Sequence, residues 1–171
     1  MPILSDYSRR RKCAHFLAGI PKDHHILEVG AGAGWVGAYL RAGGWSHYTG
    51  LDLYPPADVV GDIVQWRALG LAPASFDTII AFEVVEHVDC WDALRDLLRP
   101  GGQVLATSPY PATDWICRLL ELAGLSQRRT SPHSHLIDFR RVTGFDLVDL
   151  RRVGLLAQWG IFRKPLGGAT V

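Results

Sequence analysis

Residues 26–40 read ILEVGAGAGWVGAYL: a short apolar strand that runs into a turn of glycine and alanine and then into an apolar segment of helical spacing. A strand that leaves through glycines into a helix opens a crossover unit, and such a unit belongs to a parallel sheet. The same rhythm recurs downstream. Strands are expected at Ile26–Val29, Tyr48–Leu51, Thr78–Phe82 and Gln103–Thr107, with a weaker one at Val59–Gly61, and helical segments lie between them. A helix is expected from about Cys90 to Leu98, with Trp91, Leu94, Leu97 and Leu98 on one face and Pro100-Gly101-Gly102 ending it. Beyond Ser108 the pattern predicts helix over Asp114–Ala123, a loop over Gln127–His135, helix again over Val142–Val153 and a last strand over Leu155–Phe162. The expected architecture is α/β: one domain over 1–171, with a doubly wound, mostly parallel sheet of six to seven strands. A short N-terminal helix precedes it, and a cap region spans about 109–140.

The turn admits two readings. Gly32-x-Gly34-x-x-Gly37, with Asp52 twenty residues after Gly32, satisfies the dinucleotide pattern. Shifted two residues earlier, the pattern is Glu28-x-Gly30-x-Gly32-x-Gly34, with a carboxylate inside the strand. A buried acid there repels a pyrophosphate. S-adenosylmethionine carries no phosphate; its ammonium and sulfonium favour a nearby carboxylate, and glycines allow close backbone approach. Asp52, at the end of the second strand, suits the two ribose hydroxyls. Asp62 and Ile63, after the third, suit the adenine amino group and ring.

From Ile26 to about Ser108 the segments LEVGAGAG, GLDL, GDI, FDTIIAFEVVEHV and LRPGGQVLATSP stand in an order that resembles the class I S-adenosylmethionine-dependent methyltransferases. The resemblance implies a Rossmann-like fold and S-adenosylmethionine as cofactor. It implies that Glu28, Gly30, Ala31, Gly32 and Gly34 line the methionine part, Asp52 and Leu53 the ribose and adenine edge, and Asp62 and Ile63 the adenine. Phe82 and Glu83 would approach the methyl group.

Glu83-Val-Val-Glu86-His87 follows the fourth strand. On one helical turn, residues three and four apart share a face, so Glu83, Glu86 and His87 are expected to converge, and two carboxylates with an imidazole suit a divalent metal. The stretch is similar to the acid and histidine motif of the benzoquinol O-methyltransferases and of the Hen-type RNA 2′-O-methyltransferases. In the RNA branch a later histidine completes the metal site; His135, with His133 as alternative, is the candidate here. The competing reading has no metal, with His87 shaping the substrate pocket. Methyl transfer to a hydroxyl also requires removal of a proton, for which His87 and Glu83 are the catalytic candidates.

Net charge is +1 with 48% hydrophobic and 20% charged residues, so bulk attraction to nucleic acid or acidic membrane is not expected, and any polyanion contact would be local. Arg9–Lys12, Arg128-Arg129, Arg140-Arg141 and Arg151-Arg152 could supply one, or could be solvated faces. His24 and His25 read as exposed turn residues, and Tyr110, Trp115 and Phe139 as cap or core. Cys13, Cys90 and Cys117 are odd in number and widely spaced, which argues against a disulfide framework and for a reducing cytoplasm. No segment reads as a signal peptide or a membrane span. Three functions are therefore carried forward. The first is O-methylation of a small molecule; the others are metal-assisted methylation of RNA ends and a cofactor-binding subunit completed by a partner. Related enzymes add a hairpin at the sheet edge and a larger cap, and with nine residues after Phe162 the chain reads as short for the first two.

Overall fold

The computed structural model describes residues 3–111, 135–154 and 156–167. Among the described residues seven strands form one sheet: β1 (Ile26–Val29), β2 (Tyr48–Asp52), β3 (Val59–Val60), β4 (Phe76–Phe82), β5 (Leu98–Pro109), β6 (Asp146–Val153) and β7 (Ala157–Arg163). Their order is β3-β2-β1-β4-β5-β7-β6, parallel from β3 to β5. β7 runs antiparallel to both β5 and β6. Helix α1 (Ile3–Lys12) continues into a π-helical turn, Cys13–Leu17; α2 (Trp35–Ala42) follows β1 and α3 (Trp91–Leu97) follows β4.

Strand alternation divides the core into two layers. On one face Leu27, Val29, Ile79, Ala81, Val104 and Ala106 pack with Leu94 and Leu97 of α3 and with Phe139 and Phe162. On the other, Ile26, Ile80 and Leu105 meet Phe16, Leu17, Val36, Leu40 and Trp159. All four residues of β1 are buried, as expected of a strand covered on both faces. Phe139, read as cap or core, is fully buried core.

The expected strands and the α3 helix are present, and Pro100-Gly101-Gly102 does follow the helix. β5 nevertheless begins at Leu98, which pairs with Phe76 before a register shift. One expectation is overturned: residues 146–153 are strand, not helix. Leu147 faces Phe162 and Leu150 faces Gly160, while the register shifts between Leu147 and Asp149. That extra residue puts two leucines three apart on one side of a strand, which imitates helical spacing. The chain thus does carry a hairpin at its sheet edge, β6–β7. The expected helix 114–123 and nearly all of the loop 127–135 lie outside the described residues.

β1 leads to β2 on one side and β4 lies on the other, so the connections diverge at the carboxyl ends of β1 and β4. That divergence leaves the crevice in which open α/β sheets hold ligands.

Candidate functional site

The glycine turn lies at this crevice. Gly30, Gly32 and Gly34 adopt φ of +76°, +49° and +73°, the left-handed region. At Gly30 a Cβ would stand 2.5 Å from Val84 Cγ2, so the turn can close against the loop after β4 only with glycine there. Gly30 and Ala31 donate backbone hydrogen bonds to Leu51 O at 2.8 and 3.0 Å, fastening the turn to β2. Gly37 has a packing reason: a Cβ there would meet the Tyr48 ring at 2.8 Å.

A cleft of about 590 Å³ opens beside the turn. Its walls include Gly30, Asp52, Leu53, Asp62, Ile63, Phe82, Glu83 and His87, so seven predicted cofactor residues and His87 meet in one place. Asp52 Oδ2 accepts from Gly32 N at 2.8 Å and Oδ1 from Tyr54 N at 3.1 Å. Each oxygen keeps a second lone pair for a ligand hydroxyl. Asp62 Oδ1 accepts from Val64 N at 3.0 Å, and Ile63 is buried behind it.

Glu28 lies beneath the turn rather than in the cleft wall. It is buried, accepts a hydrogen bond from the Tyr48 hydroxyl, and is pushed up to about 7, by desolvation above all. Ala31, Gly32 and Gly34 shape the turn without lining the cleft.

Residues 83–87 form no helical turn. Glu83 sits at φ +57°, and His87 N bonds to Val84 O at 2.9 Å, closing a tight turn. The helical turn expected of Glu83, Glu86 and His87 is therefore absent, although Glu83 shares a hydrogen bond with Glu86 and lines the cleft together with His87. Glu83 Oε1 is held by Lys12 Nζ at 3.0 Å and Thr107 Oγ1 at 2.7 Å, His87 opens to the cofactor cleft, and His135 lines a separate cleft with Asp89 and Trp91. Among the described residues no three His, Cys, Asp or Glu side chains are arranged to hold a metal ion. The expected fourth ligand, His135, donates its backbone N–H to Glu86 O at 3.0 Å and lines the other cleft, so no four-ligand site forms among the described residues, and His133 lies outside them.

Lys12 is the site residue that the sequence hid inside an exposed-looking basic run. Its ammonium is tucked against Glu83 and 5.1 Å from the centre of the Phe82 ring. Burial would raise Glu83, but the Lys12 charge and the Thr107 hydroxyl hold it below the usual carboxylate range. Glu86 moves the other way, raised by burial and then by the Glu83 charge, and its Oε2 has no hydrogen-bond partner among the described residues. The Lys12 charge thus favours the ionised form at Glu83, and burial together with the Glu83 charge opposes ionisation at Glu86.

The chain that forms this cleft, at the carboxyl ends of β1, β2 and β4, has counterparts in sequence and in fold among known proteins. Residues 6–149 match the methyltransferase domain family. The chain belongs to that family. It is 32% identical over 121 residues to a probable S-adenosylmethionine-dependent methyltransferase of Mycolicibacterium smegmatis, covering 60% of this chain and 43% of that protein. It is 30% identical over 125 residues to a ubiquinone biosynthesis O-methyltransferase of Xylella fastidiosa, covering 63% and 48%. The chain thus spans less than half the length of these curated relatives. In fold it is similar to the Burkholderia thailandensis 1,6-didemethyltoxoflavin-N1-methyltransferase, solved with bound S-adenosylhomocysteine: TM-score 0.59, 18% identity, 96% of this chain and 81% of that one. Membership in a methyltransferase family with such relatives implies S-adenosylmethionine as cofactor. The cleft fits it, with a volume inside the ~300–1,000 Å³ of small-molecule sites and with Asp52 and Asp62 in its wall, carboxylates whose remaining lone pairs can accept from hydroxyl or amino groups.

Proposed function

We propose that this methyltransferase domain binds S-adenosylmethionine in the cleft beside the glycine turn and transfers its methyl group to an oxygen of a small molecule. The observation that carries the reading is the convergence of Gly30, Asp52, Asp62, Phe82, Glu83 and His87 on one cleft. When bound, the cofactor supplies an already activated methyl group, so the chain's main work is alignment and exclusion of water. Asp52 would hold the ribose hydroxyls, Asp62 the adenine amino group, and Leu53 and Ile63 the ring. Gly30 and its neighbours, over the buried Glu28, would take the amino acid end.

An acceptor hydroxyl must lose a proton as its oxygen becomes bonded to carbon. His87 lines the cleft and is the candidate base. Glu86, whose ionisation is opposed by burial and by the Glu83 charge, is ill suited to begin the reaction as an ionised base, whereas Glu83, whose ionised form Lys12 favours, can accept a hydrogen bond from the acceptor. The Xylella O-methyltransferase relative supports oxygen as the acceptor atom. A cytosolic setting fits the free thiols Cys13 and Cys90, and among the described residues no helix is long and apolar enough to cross a membrane.

The test is incubation with methyl-labelled S-adenosylmethionine and a panel of phenols, carboxylic acids and amines. Label transferred to hydroxyl compounds supports the reading. Transfer confined to amines overturns the oxygen assignment.

A further inference from the structure

A second cleft, of about 520 Å³, lies between the N-terminal helix and the β6–β7 hairpin. Arg11, His15, Arg151, Arg152, Val153 and Trp159 line it. The sheet register fixes its position relative to the methyl-transfer site. Arg151 pairs with Trp159, Trp159 with Thr107, and Thr107 with Phe82, so one row across four strands joins the arginines to the residue before Glu83. Three strand spacings are about 14 Å, and arginine side chains reach back over part of that. The two clefts thus open at the same end of the sheet.

The charge in this second cleft is held in place. Arg11 lies over the Trp159 ring, 5.6 Å from its centre, and Arg152 lies 4.1 Å over Tyr110 while donating to its hydroxyl at 2.6 Å. Guanidiniums stacked on rings and tied by hydrogen bonds lose little freedom when they take up an anion. Asp149, the acid beside them, pairs with Arg151 Nε at 3.0 Å, while His15 Nε2 lies 3.4 Å away without a hydrogen bond to it. Among the described residues, neither Arg11 nor Arg152 forms an ion pair with a carboxylate. Three guanidiniums less one carboxylate leave about two positive charges. His15 is held below its ordinary value, by burial first and then by Arg151, and so adds none near neutrality.

We propose that this cleft binds the phosphate group of a phosphorylated small-molecule acceptor, anchoring it while its hydroxyl reaches the methyl-transfer site. The proposal rests on the methyl-transfer reading above. Two positive charges match a phosphate monoester, about −1.5 to −2 at neutral pH, better than a carboxylate, and the planar forks suit its oxygens. A polynucleotide would need a track of cations along several phosphates, whereas among the described residues Arg11, Arg151 and Arg152 gather at one cleft, on a chain of net charge +1.

The experiment is calorimetric titration of the full chain with inorganic phosphate, with acetate, and with a short single-stranded oligoribonucleotide; S-adenosylhomocysteine is titrated in parallel. Phosphate is expected to bind at one site about tenfold or more tighter than acetate. Arg11→Ala/Arg152→Ala is expected to weaken phosphate by about tenfold or more, Arg152→Lys to retain most of the affinity, and all variants to bind S-adenosylhomocysteine as the wild type does. The proposal is overturned if phosphate gives no saturable heat with protein that binds S-adenosylhomocysteine, or if the double variant binds phosphate unchanged. An oligoribonucleotide that binds about a hundredfold tighter than phosphate and depends on the same arginines would make RNA the occupant and also overturn it. Failure of the methyl-transfer reading is separately visible: S-adenosylhomocysteine gives no heat while arginine-dependent phosphate binding persists, which removes the acceptor role from the site.

Discussion

Glu28→Gln replaces a buried titrating group with a neutral one that still offers an oxygen to the Tyr48 hydroxyl. Desolvation under the glycine turn is the main cause that lifts Glu28 from 4.5 to about 7; Asp52 adds to it, and the Tyr48 hydrogen bond and Arg41 oppose it. The unfolded chain returns the group to near its ordinary value. Between those two values the folded chain holds the proton and the unfolded chain does not. The stability linked to Glu28 is therefore fully present below about pH 4.5 and falls as the pH rises to about 7. Two and a half units correspond to about 3 kcal/mol, of which roughly 2–3 kcal/mol falls between about pH 5 and pH 8. Urea unfolding followed by tryptophan fluorescence, extrapolated to water at each pH, measures it. The wild type should lose stability relative to Glu28→Gln by about that amount across the window. Saturating S-adenosylhomocysteine should narrow the difference, because its ammonium favours the ionised carboxylate. Parallel profiles for the two proteins would show that Glu28 is not desolvated and that the electrostatic account of the turn is wrong.

Other consequences can be measured in the same way. Gly30→Ala must place a Cβ in a left-handed residue and 2.5 Å from Val84 Cγ2, and should cost about 2–4 kcal/mol in urea unfolding. Adding Val84→Ala should recover the packing share only; full recovery would show that the backbone is not strained. Lys12→Met leaves Glu83 and Glu86 together without the ammonium. It should destabilise by about 1–2 kcal/mol, less than a fully buried pair because the Glu83 side chain is 46% exposed, and an unchanged midpoint would remove Lys12 from the site. Asp52→Ala should weaken S-adenosylhomocysteine by about 1.5–3 kcal/mol, and unchanged affinity would misplace the ribose.

The sheet was legible because a parallel strand buried on both faces must be mainly apolar, as Ile26–Val29, with Glu28 its one acid, and Ile79–Phe82 are. The hairpin was not, because a bulge near Leu147 gives strand β6 a helical spacing. The cleft residues could be picked out because strand ends fix them: Asp52, Asp62 and Phe82 each close or follow a strand. The metal set was legible only in part. Its premise was a helical turn at 83–87, and that turn is lost once Glu83 takes a positive φ so that the chain can bend away from β4. Lys12 left no local signal, since a basic run at a helix end looks the same whether its cations face water or fold inward onto a partner 71 residues away.

The most direct test of the cofactor cleft is calorimetric titration of the wild type and Asp52→Ala with S-adenosylhomocysteine, and of the wild type with NAD. One site on the wild type, weakened about tenfold or more by Asp52→Ala, together with no heat from NAD, is the predicted result. A folded wild type that gives no heat with S-adenosylhomocysteine, or that binds NAD in its place, would contradict it.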